Sequence, residues 1–165
     1  MKARIISALL LIALALCTLV SCGDKAPSYR DDVPVSELCA AADACIDNSE
    51  AMAEMAADYI SSYMGIDLSN AEEYTVKLQS IGTAIDEYGI FKAPDEAAAA
   101  DFQKMVNDYF AAYLDRWMPE YRPEELPKLK SASVRVMGRY VVYCILSDAD
   151  KDEVFAAVEN LLLDK

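Results

Sequence analysis

The chain has 165 residues, sets 28 Asp and Glu against 15 Lys and Arg, and contains no histidine. A formal charge of −13 argues against nucleic acid as a partner, because that binding rests on Lys and Arg neutralising phosphates. The missing imidazole excludes Ser-His-Asp and Cys-His catalysis, and with them every metal site built on histidine.

The N-terminus reads as an address. Met1-Lys2-Ala3-Arg4 supplies two positive charges and no acid, and an apolar run from Ile5 to Val20 follows, broken only by Ser7 and Thr18. That run is shorter than the roughly 20 residues a spanning helix needs, so it predicts a signal peptide over residues 1–21. Leu19, Val20, Ser21 and Cys22 resemble a bacterial lipobox, in which a diacylglyceryl group alkylates the cysteine and cleavage makes it the new N-terminus. The bland alternative is an ordinary signal peptide cut elsewhere, with Cys22 incidental. Cys17 fits worse, because Leu16 stands where a small residue belongs. Two acyl chains make anchoring stable where one does not. The expected location is therefore the outer face of the cytoplasmic membrane. Losing Lys2 and Arg4 takes the formal charge from −13 to −15, which also disfavours a domain lying flat on anionic lipid.

Residues 22–33 carry Pro27 and several charges and predict a flexible tether, leaving 34–165 as one α+β domain. A first helix is expected over 34–46, with Ser36 as N-cap and Leu38, Ala42 and Cys45 on one side. A second is expected across "SEAMAEMAADYISSYMGID", where Met52, Met55, Tyr59 and Tyr63 recur at three and four residues and Gly65 takes an αL C-cap. The methionine stripe reads as core. The period then changes to two: Tyr74, Val76 and Leu78 predict a half-buried strand near 74–80, with a partner near 85–92. A long helix over 95–118 should bury Phe102, Val106, Tyr109, Phe110 and Tyr113. "PEYRPEELPKLK" reads as a proline-punctuated connector. Strands near 133–137 and 140–146 follow, and a helix from about Asp150 to Leu163 closes the chain. "VVYCIL" is apolar on both alternating faces and belongs inside the sheet.

Two strand–strand–helix units recur, since "GIFKAPDEAAAADF" and "YCILSDADKDEVFA" share one order. The expected fold is a single α+β domain: a four-stranded antiparallel sheet packed against helices, in the order αα-ββα-ββα. "YMGID", "EEYTV", "WMPEYRPEEL" and "GRYVVYCILSDAD" together resemble an uncharacterised family of short lipoproteins from Gram-positive bacteria, classed as a domain of unknown function. The resemblance runs from about residue 33 to the C-terminus. It implies a lipid anchor and a domain size, and no catalytic residues.

Several groupings bear on chemistry. Asp148, Asp150, Asp152 and Glu159 match the carboxylate positions of an EF-hand loop, but Glu153 replaces the glycine of its sharp turn, so they are expected not to bind a metal. Neighbouring acids at 72–73, 86–87 and 95–96 are the remaining route to an acid and a base. Glu87 lies within a strand, where a carboxylate is less expected, and a solvent-facing position accounts for it. Trp117, Tyr121 and Tyr140 are candidates for an aromatic platform. With Cys22 acylated, Cys39, Cys45 and Cys144 remain. Cys39 and Cys45 on one helix stand about 9 Å apart, too far to pair. Either one of them pairs with Cys144 or all three are free and packed as small apolar groups.

The expected function is a membrane-anchored, non-catalytic binding module with a cell-surface protein or peptide partner. No cofactor beyond the diacylglyceryl lipid is expected. A surface hydrolase using paired carboxylates is the alternative, and a small-ligand or calcium-binding lipoprotein is the third reading.

Overall fold

The structure, a computed structural model, describes residues 27–82, 84–118 and 120–163. The expected signal peptide and lipobox, and residues 22–26 of the expected tether, lie outside the described residues. In chain order the elements are α1 (Val35–Asp43), a 3-10 turn (Ser49–Ala51), β1 (Met52–Glu54), and α2 (Ala57–Tyr59), which runs on as a π-helical turn (Ile60–Met64). Then come a 3-10 turn (Leu68–Asn70), β2 (Glu73–Gln79), β3 (Glu87–Lys92), α3 (Glu96–Arg116), α4 (Leu126–Lys130), β4 (Ser133–Met137), β5 (Tyr140–Ile145) and α5 (Asp148–Leu162).

One antiparallel sheet of order β1-β2-β3-β5-β4 organises the chain. It has five strands, not the expected four. The fifth comes from the segment read as the second helix, because Met52, Ala53 and Glu54 pair with Gln79, Leu78 and Lys77 along the free edge of β2. Their helix propensity is a weak preference, and the ladder overrides it. Asn48, at φ 59, interrupts the helical path just before. Only the Ala57–Met64 stretch is helical, and Gly65 ends it in αL at φ 72, as expected. The proline-rich connector also folds further than expected, into the short helix α4 with Pro at its start.

Strand alternation gives the sheet two buried faces. On one, Tyr88, Ile90, Tyr140, Val142 and Cys144 pack under α1 and α5. On the other, Val76, Phe91, Val141, Tyr143 and Ile145 pack under α3 and the π turn. β3 and β5 are buried along their whole length, consistent with interior strands covered on both sides. The two strand–strand–helix units therefore share an order but not a geometry, since α3 and α5 cover opposite faces. Of the five α3 side chains expected in the core, Phe102, Val106, Tyr109 and Phe110 are buried and Tyr113 is half-buried.

Helix starts are capped in different ways. Asp95 accepts from the Ala98 amide at α3, and Ser147 accepts from the Asp150 amide at α5. At α1 the expected cap, Ser36, is already inside the helix. There the Val35 amide donates to Glu73 Oε2 at 2.9 Å, so a strand residue supplies the anion that the helix N-terminus favours.

From Tyr29 onward the segment before α1 is docked on the domain. Tyr29 bridges Leu163 and its hydroxyl donates to Glu159 at 2.8 Å. Val33 is buried, and its carbonyl accepts from the Tyr140 hydroxyl at 2.6 Å. Arg139 binds the Asp31, Ala93 and Pro94 carbonyls together. Among the described residues, no helix is long and apolar enough to cross a membrane.

Candidate functional site

β3 reads Glu87-Tyr88-Gly89-Ile90-Phe91-Lys92, and alternation puts Glu87, Gly89 and Phe91 on the α3 face of the sheet. Glu87 is therefore buried, 6% exposed, and not solvent-facing as expected. Tyr109 of α3 donates its hydroxyl to Oε2 at 3.0 Å, and Tyr143 of β5 donates to Oε1 at 2.7 Å. No ion pair reaches this carboxylate among the described residues. Burial pushes its pKa up to about 7, and the two hydroxyl donors only partly counter that.

Gly89 makes the arrangement feasible. It lies directly across from Tyr143, and a Cβ added there would sit 2.2 Å from the tyrosine ring. Without a side chain at 89, the Tyr143 ring crosses the strand and delivers its hydroxyl to Glu87. The alternation that puts Glu87, Gly89 and Phe91 on one face was legible in "EYGIF", and the glycine two residues on was the signal that a ring crosses there, but that α3 covers this face was not.

Tyrosines continue outward from Glu87. Tyr109 packs on Tyr113 at 5.8 Å between ring centroids, and Tyr113 on Trp117 at 6.0 Å, along one stripe of α3. Burial, and then the Glu87 charge, push the Tyr113 hydroxyl up to about 12. Facing this stripe, Tyr59 at the end of α2 and Tyr63 on the π turn stack at 4.8 Å. The turn closes with the Gly65 amide donating to Ile60, five residues back. Both rings stay open to solvent, at 45% and 42%, and Arg116 lies 5.0 Å above the Tyr63 ring. Leu114, Met118 and Tyr121 are also exposed around this end of α3. The Trp117 indole N–H is buried without an acceptor among the described residues.

The other candidate residues are placed as follows. Of the aromatic platform, Tyr121 is exposed and Trp117 half-buried, whereas Tyr140 is fully buried beneath α1 and α5, on the opposite face of the sheet. The acid pairs do not converge. Asp86 binds Lys128 at 2.7 Å while its neighbour Glu87 is enclosed in the core. Glu72 binds Arg139, Glu73 binds Lys92 and caps α1, and Asp95 caps α3. Asp148, Asp150, Asp152 and Glu159 all lie on α5, which begins at Asp148. Asp148 binds Lys151, Asp150 accepts from the Ser147 hydroxyl, and Glu159 accepts from Tyr29, so the structure does not bring the four together. Cys39, Cys45 and Cys144 are all free thiols.

Residues 44–146, well over half of the chain, match the family described as "Domain of unknown function (DUF4358)". The chain belongs to that family. The matched span holds every strand of the sheet, Glu87 and its two tyrosines, and α2 to α4, while α1 and α5 fall outside it. No curated protein and no solved structure matches the chain.

Proposed function

We propose that this protein is a lipid-anchored lipoprotein on the outer face of a Gram-positive cytoplasmic membrane, acting as a non-catalytic module that docks a protein or peptide partner. The docking face is the one built from Tyr59, Tyr63 and Arg116. The observation that carries this reading is the exposed tyrosine pair with a guanidinium stacked on it, backed by a rigid wall of buried tyrosines around Glu87. Tyrosine, tryptophan and arginine are the side chains that dominate binding energy at protein interfaces. The hydrolase alternative needs two carboxylates at one point, and of the pairs at 72–73, 86–87 and 95–96, Glu72, Glu73, Asp86, Glu87 and Asp95 are engaged elsewhere.

Position supports the same reading. Pro27, Ser28 and Tyr29 share a cleft with Glu96 at the start of α3, whereas Tyr63 meets Arg116 at its end. The 21 residues of α3 rise about 30 Å. A chain anchored through Cys22 thus holds the tyrosine face away from the membrane.

A photo-crosslinking side chain placed at Tyr63 in intact cells tests this. It should trap a discrete protein or peptide, and the same group at exposed Lys104 should not. A Tyr59→Ala/Arg116→Ala background should abolish the product. Equal trapping at both positions, or none at Tyr63, overturns the docking face.

A further inference from the structure

Among the described residues, the buried lysines and carboxylates are Glu87, Lys92 and Lys151. Lys92 bonds to Glu73 and Lys151 to Asp148, so each lysine has a countercharge. Glu87 has none. Hydroxyls surround it instead: Tyr109 and Tyr113 from α3, Tyr143 from β5, Tyr59 from the end of α2 and, against Tyr109, Tyr63 of the π turn. The cations at this end of the domain are taken up further out. Arg116 lies on Tyr63, Arg122 on Tyr121, and Lys128 binds Asp86 and Glu125. Ionising a carboxylate in that setting is costly while it stays dry.

The covers over Glu87 are not equally firm. β3 and β5 are interior strands, paired along both edges. α3 runs 21 residues from its Asp95 cap and buries Ala99, Phe102, Val106, Tyr109 and Phe110. The remaining cover is Ala57–Met64. Its start has no side-chain cap, its second half is a π turn, and its buried side chains are Ile60 and Met64. π turns are rare and are found mostly at functional sites, and a segment with few buried side chains opens at lower cost than the whole domain. Burial, then the Tyr63 and Glu87 charges, push the Tyr59 hydroxyl up, so this segment lies within electrostatic reach of the carboxylate.

We propose that Ala57–Met64 is a pH-sensitive latch, shut over Glu87 while that carboxyl keeps its proton and opening more often once the proton has left to solvent. Opening lifts Tyr59 and Tyr63 and lets water reach the charge. The shut state holds its proton up to about 7, whereas a hydrated Glu87 loses it near the ordinary 4.5. The open state therefore ionises first, so opening becomes easier as pH rises between those values and levels off above them. Tyr59 and Tyr63 ride on the latch, so the docking face proposed above is whole only when the latch is shut. The latch itself needs no partner, and its fate is separate from that of the docking reading.

Deuterium exchange of the full chain in detergent, at pH 6, 8 and 9, tests this, with each amide rate divided by its intrinsic rate at that pH. Protection across residues 60–66 should fall about tenfold from pH 6 to pH 8 and stay nearly level from pH 8 to pH 9. It should lie below that of β5 at every pH, as a local opening requires. Glu87→Gln should abolish the fall. Tyr143→Phe removes a donor that favours the ionised form, so its protection should still be falling between pH 8 and pH 9. The latch is overturned if residues 60–66 are as protected as β5, which would mean that they open only with the whole domain. It is also overturned by protection that is level from pH 6 to pH 8, by a fall that survives Glu87→Gln, or by one that ends at pH 8 in Tyr143→Phe as in wild type.

Discussion

A carboxylate enclosed between two hydroxyl donors, with no cation beside it, holds its proton more tightly in the fold than in the unfolded chain. Burial raises Glu87 from an ordinary 4.5 to about 7, so between those values the folded state binds the extra proton. Its contribution to stability is complete below the ordinary carboxylate range and is lost as pH rises through about 7. Over that window the loss is on the order of 3 kcal/mol. Denaturant unfolding at pH 5 and pH 8.5 should show it, and Glu87→Gln should flatten it. Tyr143→Phe removes a donor that lowers the pKa, so it should move the loss to higher pH. A wild-type profile that is level across this window, or one unchanged by Glu87→Gln, would show that the carboxylate is not enclosed as described. Gly89 belongs to the same assembly. Gly89→Ala drives a methyl group into the Tyr143 ring and should cost about 1–3 kcal/mol or more in thermal or denaturant melts. Sequence pointed to Glu87 as an unusual strand residue, yet read it as solvent-facing. The burial depends on α3 supplying Tyr109 across the sheet, a contact 22 residues away in the chain that no local pattern reports.

Elements with a strong period of their own were legible, and those decided by a distant partner were not. β2 to β5, α1, α3 and α5 fall within a few residues of their expected bounds, because hydrophobic alternation and helical stripes are set by the core they face. β1 is a strand only because β2 offers an unpaired edge, and α1 takes its cap from Glu73 on a strand. The tether is the other instance. Nothing in "YRDDV" announces that Arg139, on the β4–β5 turn, holds it in place. Arg139→Ala leaves the Asp31, Ala93 and Pro94 carbonyls without that donor and should destabilise the domain by about 2 kcal/mol. Hydrogen exchange should show residues 29–33 opening first in that variant, whereas slow exchange there would mean that Tyr29 and Val33 suffice. At α5 the acidic series is spread along a helix. Asp148 and Glu159 are separated by about 16 Å of rise, so millimolar calcium should leave the melting temperature where equal ionic strength of sodium leaves it. A calcium-specific rise abolished by Asp150→Ala would reveal a site that this helix does not form.

On the scale of the molecule, the two faces of the sheet are covered by different helices. α3, the π turn and α4 cover the face that holds Glu87 and leads outward to the tyrosine pair, and they lie inside the family match. α1 and α5 pack together over the other face and lie outside it. The docked segment at 29–33 gives the molecule a direction, because it fixes where the chain enters the domain. If Cys22 carries the lipid, residues 23–28 are the remaining slack, about 20 Å when fully extended. The domain would then be held close to the membrane at the start of α3, with the tyrosine face turned outward. Replacing Cys22 with Ala should remove both the lipid and the cleavage, leaving uncleaved precursor or a domain released from the membrane fraction. Intact mass of the wild-type chain should show loss of residues 1–21 and a diacylglyceryl addition at Cys22. A Cys22→Ala chain that is cleaved at the same bond and sediments with membranes like wild type would sink the lipid anchor, and with it the outward orientation. The tyrosine face would stand, since its geometry owes nothing to the anchor.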